Sequence, residues 1–157
     1  MSETEDQIVP TRAVAVILVN PEGHLLLQLR DGQARVSPHK WGLVGGGLDP
    51  EERPEAGARR ELREETGLSL DGDPVLIHQG TCPASLGPGE TQWWVFAAAS
   101  PATKEDIVVG EGADIAFVAE EHIASLELGV SAERFVLPFV GSAEHQRLAE
   151  QAAHMRN

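Results

Sequence analysis

The chain has 157 residues, 41% of them hydrophobic and 24% charged, which suits one globular domain with a real core. Twelve basic against 25 acidic residues give a formal charge of −13. That balance argues against a nucleic-acid polymer as partner, because such binding draws on clustered Lys and Arg. No apolar run approaches the roughly 20 residues of a membrane helix, so no membrane is expected, and the lone Cys82 excludes an intrachain disulfide or a cysteine-based zinc site.

In chain order, residues 1–10 read as a flexible polar leader, and residues 11–157 as a single domain. The leader is acidic, the opposite of a signal peptide's opening, so a cytoplasmic location is expected. Ala13 to Val19 is a continuous apolar run that predicts a strand covered on both faces. Asn20-Pro-Glu-Gly23 reads as a tight turn into a second strand, His24 to Arg30. A polar loop over Asp31–Lys40 leads to Trp41 and the glycines Gly45, Gly46 and Gly47.

Pro54 to Thr66 predicts the clearest helix. Pro54 fits the first turn, Ala58 and Leu62 form an inward stripe, and Gly67 stands where a left-handed cap is expected. Gly57 is its weak point, costing about 1 kcal/mol relative to Ala. Strands follow at Val75–Thr81 and Gln92–Ala99, joined by a loop over Cys82–Glu90. A short strand, Asp114–Val118, precedes a short helix, Glu120–Ser125. Ser131 to Gln151 reads as helical, broken near Pro138 or Gly141. Mixed strands with flanking helices imply one α/β domain.

The segment Gly45 to Leu68 carries the chemistry. Glu61, Glu64 and Glu65 stand at i, i+3 and i+4, placing three carboxylates on neighbouring faces of one turn. Two readings stand at this point. The carboxylates form a solvated acidic face beside Arg59, Arg60 and Arg63, or they gather a hard cation such as Mg²⁺, which bridges carboxylates to phosphates. The glycines ahead of the helix would let backbone approach a ligand closely.

This segment resembles the Nudix box, Gly-x5-Glu-x7-Arg-Glu-(aliphatic)-x-Glu-Glu-x-Gly-(aliphatic). The match holds at Gly46, Glu52, Arg60, Glu61, Leu62, Glu64, Glu65, Gly67 and Leu68. A chance match is on the order of 10⁻⁷ by average residue frequencies, so coincidence does not account for it. Val44 and Arg53 depart from the family's usual proline and Ser/Thr, and neither removes a ligand.

The resemblance covers about residues 12–140 and implies an α/β/α sandwich with a mixed β-sheet. It implies a hydrolase that cleaves a diphosphate linkage in a nucleoside triphosphate or nucleoside diphosphate derivative, using Mg²⁺ with Mn²⁺ as substitute. The family's roles make Glu61, Glu64 and Glu65 metal ligands, with the Gly45 carbonyl beside them, and Glu111 a candidate further ligand. Arg60 orients a box glutamate, Glu52 lies near the metal or supports the loop, and Glu61 is the first candidate for general base. A homodimer is compatible with the family, although no feature fixes an interface. The alternatives are a Nudix-fold nucleotide-binding module without turnover and a prenyl-diphosphate isomerase; the intact glutamates argue against the first, and the lack of context around Cys82 against the second.

Substrate contacts are expected from Arg30, which alternates with Gln28 on the second strand, from Gly46 and from Trp41. Adjacent strand residues face opposite sides, so at most one of Trp93 and Trp94 enters a given pocket, and core packing is the stronger expectation for both. His39 and Lys40 read as loop residues before phosphate contacts. Cys82 has no basic neighbour in sequence to activate it.

Overall fold

The computed structural model describes residues 11–84, 88–110 and 114–156. The strands are β1 (Arg12–Val19), β2 (Leu25–Leu29), β3 (Trp41–Gly42), β4 (Val44–Gly47), β5 (Val75–Pro83), β6 (Glu90–Ala99) and β7 (Asp114–Val118). The helices are α1 (Pro54–Thr66), α2 (Glu120–Ile123), α3 (Val130–Phe139) and α4 (Ala143–Met155), with a 3-10 turn at Lys104–Asp106.

The strands form one mixed sheet in the order β3-β2-β1-β6-β5, with β4 paired to β1 and β7 to β2. β1 and β6 run parallel and the other pairs antiparallel. The apolar run of β1 is buried from Ala13 to Val19 because both faces are covered. Ala15, Ile17 and Val19 pack toward Phe135, Val136 and Leu148 of α3 and α4. Val14, Val16 and Leu18 pack toward Ala58 and Leu62 of α1. Helices therefore cover both faces, as a three-layer sandwich requires.

Asn20 holds the β1–β2 turn. Its buried Oδ1 accepts the N–H groups of Glu22 and His24 at 3.1 and 2.9 Å, while Gly23 takes φ of +81°. At the other end of α1, Gly67 adopts φ of 76° and its N–H reaches the Arg63 carbonyl, the expected left-handed cap.

Several elements differ from expectation. The glycine segment makes two short strands, β3 on β2 and β4 on β1, because the chain leaves one partner for another at Leu43. β5 continues to Pro83 and β6 opens at Glu90, so the expected loop over Cys82–Glu90 is shorter. The C-terminal helix breaks at Gly141, at φ of +79°, while Pro138 remains inside the last turn of α3. Gly57 is no casual weak point: a Cβ there would lie 2.2 Å from Leu48 Cδ2 and 3.2 Å from Glu52 Oε1. Among the described residues, no helix is long and apolar enough to cross a membrane.

Candidate active site

Arg53 caps α1 with no side-chain hydrogen bond, so the turn before the helix needs another support. Glu52 supplies it. Its Oε1 accepts the Asp49 N–H at 3.0 Å, and its backbone N–H donates to the Asp49 carbonyl at the same distance. From the second turn of the helix, Arg60 donates Nε and Nη2 to the two Glu52 oxygens at 2.8 and 2.9 Å, a forked charge-assisted pair. Arg60 Nη2 also reaches the Gly47 carbonyl at 3.2 Å, tying helix, turn and β4 together. The Arg60 hydrogen bond, followed by that of the Asp49 amide, holds the Glu52 carboxyl down at about 2.

The glutamates fan out from this anchor. Glu61, with a side chain 12% exposed, lies against Gly46; a Cβ on Gly46 would stand 2.3 Å from Glu61 Oε2, so only glycine leaves room for the carboxylate. Arg60 Nη1 lies 3.4 Å from Glu61 Oε2 and 3.1 Å from Glu64 Oε1. Burial, outweighing Arg60 and reinforced by Glu65 and Glu64, pushes the Glu61 carboxyl up to about 7. Glu65 accepts a hydrogen bond from Gln28 Nε2 at 2.9 Å, and the Glu64 side chain is 58% exposed. As they stand, no three His, Cys, Asp or Glu side chains among the described residues are grouped to hold an ion. The nearest approach is a carboxylate set with an arginine at its centre.

Two hollows flank this cluster. A cleft of about 270 Å³ is lined by Ala13 and Ala15 of β1, by Gly45, Gly46 and Gly47 of β4, by Trp93 of β6, and by Ser37 and Ser131 from flanking segments. It exists because small residues occupy this end of the sheet: Ala13 and Ala15 pair with Gly47 and Gly45, whereas Ile17 and Val19 fill the same face further on. A polar groove of about 520 Å³ is lined by Gln28, Glu65 and Gly110. Arg30 lines both hollows, its Nε fixed at 2.7 Å by the Val36 carbonyl.

Glu61, Arg60, Gly45 and Gly46 are thus brought together, with Glu64 and Glu65 on the adjoining turn and Arg30 between the two hollows. Trp41, expected at the substrate, instead packs half-buried against the core, and its neighbours Gly42 and Leu43 line the cleft. Glu111 lies outside the described residues. The segment before it is fixed to the glutamate turn, since Gly110 N–H donates to the Glu65 carbonyl and Val108 N–H to that of Thr66, both at 2.9 Å. Sequence reasoning did not single out Ser37 or Ser131. Each is an ordinary polar loop or helix-start residue until the fold brings residues 37 and 131 to one rim.

Comparisons with known proteins follow the same line. A family model described as NUDIX domain matches residues 9–138. A nucleoside triphosphatase NudI of Salmonella agona is 30% identical over 128 residues, covering 76% of this chain and 90% of that protein. A NudI of Klebsiella pneumoniae is 44% identical over 67 residues; there the match spans only 43% of this chain and 45% of that protein. The crystal structure of a MutT protein from Methanosarcina mazei superposes with a TM-score of 0.67 at 23% identity, covering 91% of this chain and 96% of that one.

Proposed function

The chain belongs to the Nudix hydrolases, a family of phosphoanhydride-cleaving enzymes, and from that premise we propose that it hydrolyses a nucleoside triphosphate to a monophosphate and pyrophosphate with a divalent cation, Mg²⁺ or Mn²⁺. One observation carries this reading. Gly46 lies against the Glu61 carboxylate and also lines the cleft, which supports a ligand that sits in the cleft and reaches the glutamates with its phosphates. The Salmonella relative, described as a nucleoside triphosphatase and matched over most of its length, supports the triphosphate.

The donor set fits such a cation. Glu61, Glu64 and Glu65 offer hard carboxylate oxygens, and the burial of Glu61 against Gly46 leaves its charge poorly solvated, a cost that a cation would offset. These three side chains and the Gly45 carbonyl would hold the ion, with Glu64 free to turn from its exposed position. When bound, the ion neutralises phosphate oxygens and makes water a better nucleophile.

The rest falls to the chain's own groups. Arg60, gripped by Glu52, fixes the turn that carries Glu61 and Glu64. Gln28 orients the Glu65 carboxylate. Arg30 faces the phosphate chain between the two hollows and counters its charge. Glu61, whose carboxylate lies against Gly46 at the edge of the cleft, is the first candidate for the base that takes the proton of the attacking water.

The test is a panel of nucleoside triphosphates and nucleotide sugars turned over in ¹⁸O-labelled water, with products identified by mass. Monophosphate and pyrophosphate from a triphosphate, formed only with Mg²⁺ or Mn²⁺, is the expected result. Orthophosphate release, or turnover in EDTA, would count against it.

A further inference from the structure

The two adjacent tryptophans of β6 have separate fates. Trp94 pairs with Val14 and turns toward α1, where the Arg12 guanidinium lies 5.3 Å from its ring centre. Trp93 pairs with Ala13 on one side and with Gly80 on the other, two residues too small to cover an indole. It is half-buried on the α3 face of the sheet and, among the described residues, is the sole aromatic residue lining the cleft.

Behind it stands Phe135, with ring centres 5.4 Å apart and planes at 58°. Phe135 is buried and is contacted in turn by His78, at 4.9 Å and 46°. The indole is therefore backed by a packed aromatic row on its core side. Among the described residues, no acidic side chain lines the cleft, and Arg30 is the one charged side chain that does.

We propose that Trp93 is the specificity-determining surface of this enzyme, on which the planar base of the substrate stacks while its phosphates cross the bare Gly45–Gly47 strand toward Glu61. This rests on the hydrolase reading above and deepens it. The indole selects an aromatic base, and diphosphates that carry no nucleobase lose that contact. A base stacked on an aromatic side chain contributes enough binding free energy to change affinity by roughly tenfold or more. The stacked base lies away from the reacting phosphates and is held alike in ground and transition states, so its loss weighs on KM more than on kcat.

The full-length protein is titrated in EDTA with deoxynucleoside monophosphates, with ribose 5-phosphate as the control that lacks a base. In a W41F/W94F variant only Trp93 emits, and its fluorescence is expected to be quenched by the nucleotides and not by ribose 5-phosphate. W93L is expected to weaken nucleotide binding tenfold or more and to raise KM for the triphosphate with kcat changed less; W93F restores most of the affinity. Unquenched Trp93 emission at nucleotide saturation overturns the proposal. So does wild-type affinity in W93L, and in both cases the hydrolase reading stands if the wild type turns over triphosphates. A wild type that neither binds nor cleaves any nucleotide overturns both. Should W93L fail to fold by circular dichroism, the W41F/W94F titration decides alone.

Discussion

Arg60 grips both oxygens of Glu52 with its Nε and Nη2, across eight residues and the uncapped start of α1, while its third nitrogen reaches the glutamates that follow. One side chain thereby fixes the turn and the carboxylate cluster in a single frame. Glu52→Gln keeps the shape and loses the charge of this pair. A cost of about 1–2 kcal/mol is expected, at the lower end for charged hydrogen bonds because both side chains keep some solvent contact. Turnover should fall with it, because Arg60 then lacks its anchor. Chemical denaturation and steady-state rates of the same variant measure the two effects; an unchanged rate would mean that the frame is structural alone.

Gly46→Ala places a methyl where the Glu61 carboxylate lies, 2.3 Å from Oε2. The obstructing group is the end of a flexible side chain, so the fold should survive with a melting temperature near that of the wild type. Glu61 is displaced, and turnover should drop by at least a hundredfold. Gly45→Ala differs, because its Cβ would meet the Val14 carbonyl oxygen at 2.1 Å, in backbone that cannot step aside. That variant should be destabilised by several kcal/mol. Parallel melting curves and rates distinguish the two glycines, and equal behaviour would contradict the geometry.

The pH dependence of the metal-free protein follows from Glu61. Its carboxyl is raised from 4.5 to about 7 in the folded chain. The native state therefore binds the proton more tightly than the unfolded state, and this contribution is complete below pH 4.5 and lost as pH rises through about 7. The melting temperature in EDTA should fall between pH 5 and 8, and Glu61→Gln should flatten that slope. Glu52, lowered to about 2, acts in the opposite sense but only as pH falls from 4.5 toward 2, outside this window. Mg²⁺ should raise the melting temperature more at pH 8 than at pH 5.5, since the ion takes the proton's place. A slope identical in wild type and variant would remove Glu61 as its source.

His145 ties the C-terminal helix to the first hairpin. It is buried, its Nδ1 accepts the Gly141 N–H at 2.9 Å, and its Nε2 is 2.8 Å from the Gly23 carbonyl. His145→Ala should cost about 2–4 kcal/mol through two lost bonds and a cavity beside Phe139. The variant that remains folded should keep the wild-type KM, because the site lies elsewhere. Denaturation and kinetics at low temperature check both halves.

The local parts of this structure were legible from sequence and the distant ones were not. β1, α1 and the Gly67 cap follow from apolar runs, helical spacing and a glycine at the right place, all decided within a few residues. Alternation showed that Trp93 and Trp94 must part, but which one meets a pocket depends on the parallel register of β6 against β1, eighty residues away. The placing of Trp41 depends in the same way on distant pairing, since β3 on β2 sets it half-buried against the core while Gly42 and Leu43 line the cleft. The grip of Arg60 on Glu52 depends on the turn before α1 folding back, which residue spacing along the helix does not reveal. Gly141 breaks the last helix because its positive φ turns the chain, while Pro138, already in a final turn, has little helix left to interrupt.

The central claim is that the carboxylates of α1 hold the cation on which turnover depends. Equilibrium titration with Mn²⁺, followed by electron paramagnetic resonance, measures this directly in the wild type and in Glu61→Gln, Glu64→Gln and Glu65→Gln. Saturable binding in the wild type, weakened at least tenfold in each variant alongside a loss of triphosphate turnover by orders of magnitude, is the predicted result. Wild-type Mn²⁺ affinity and near-normal rates in all three variants would contradict it.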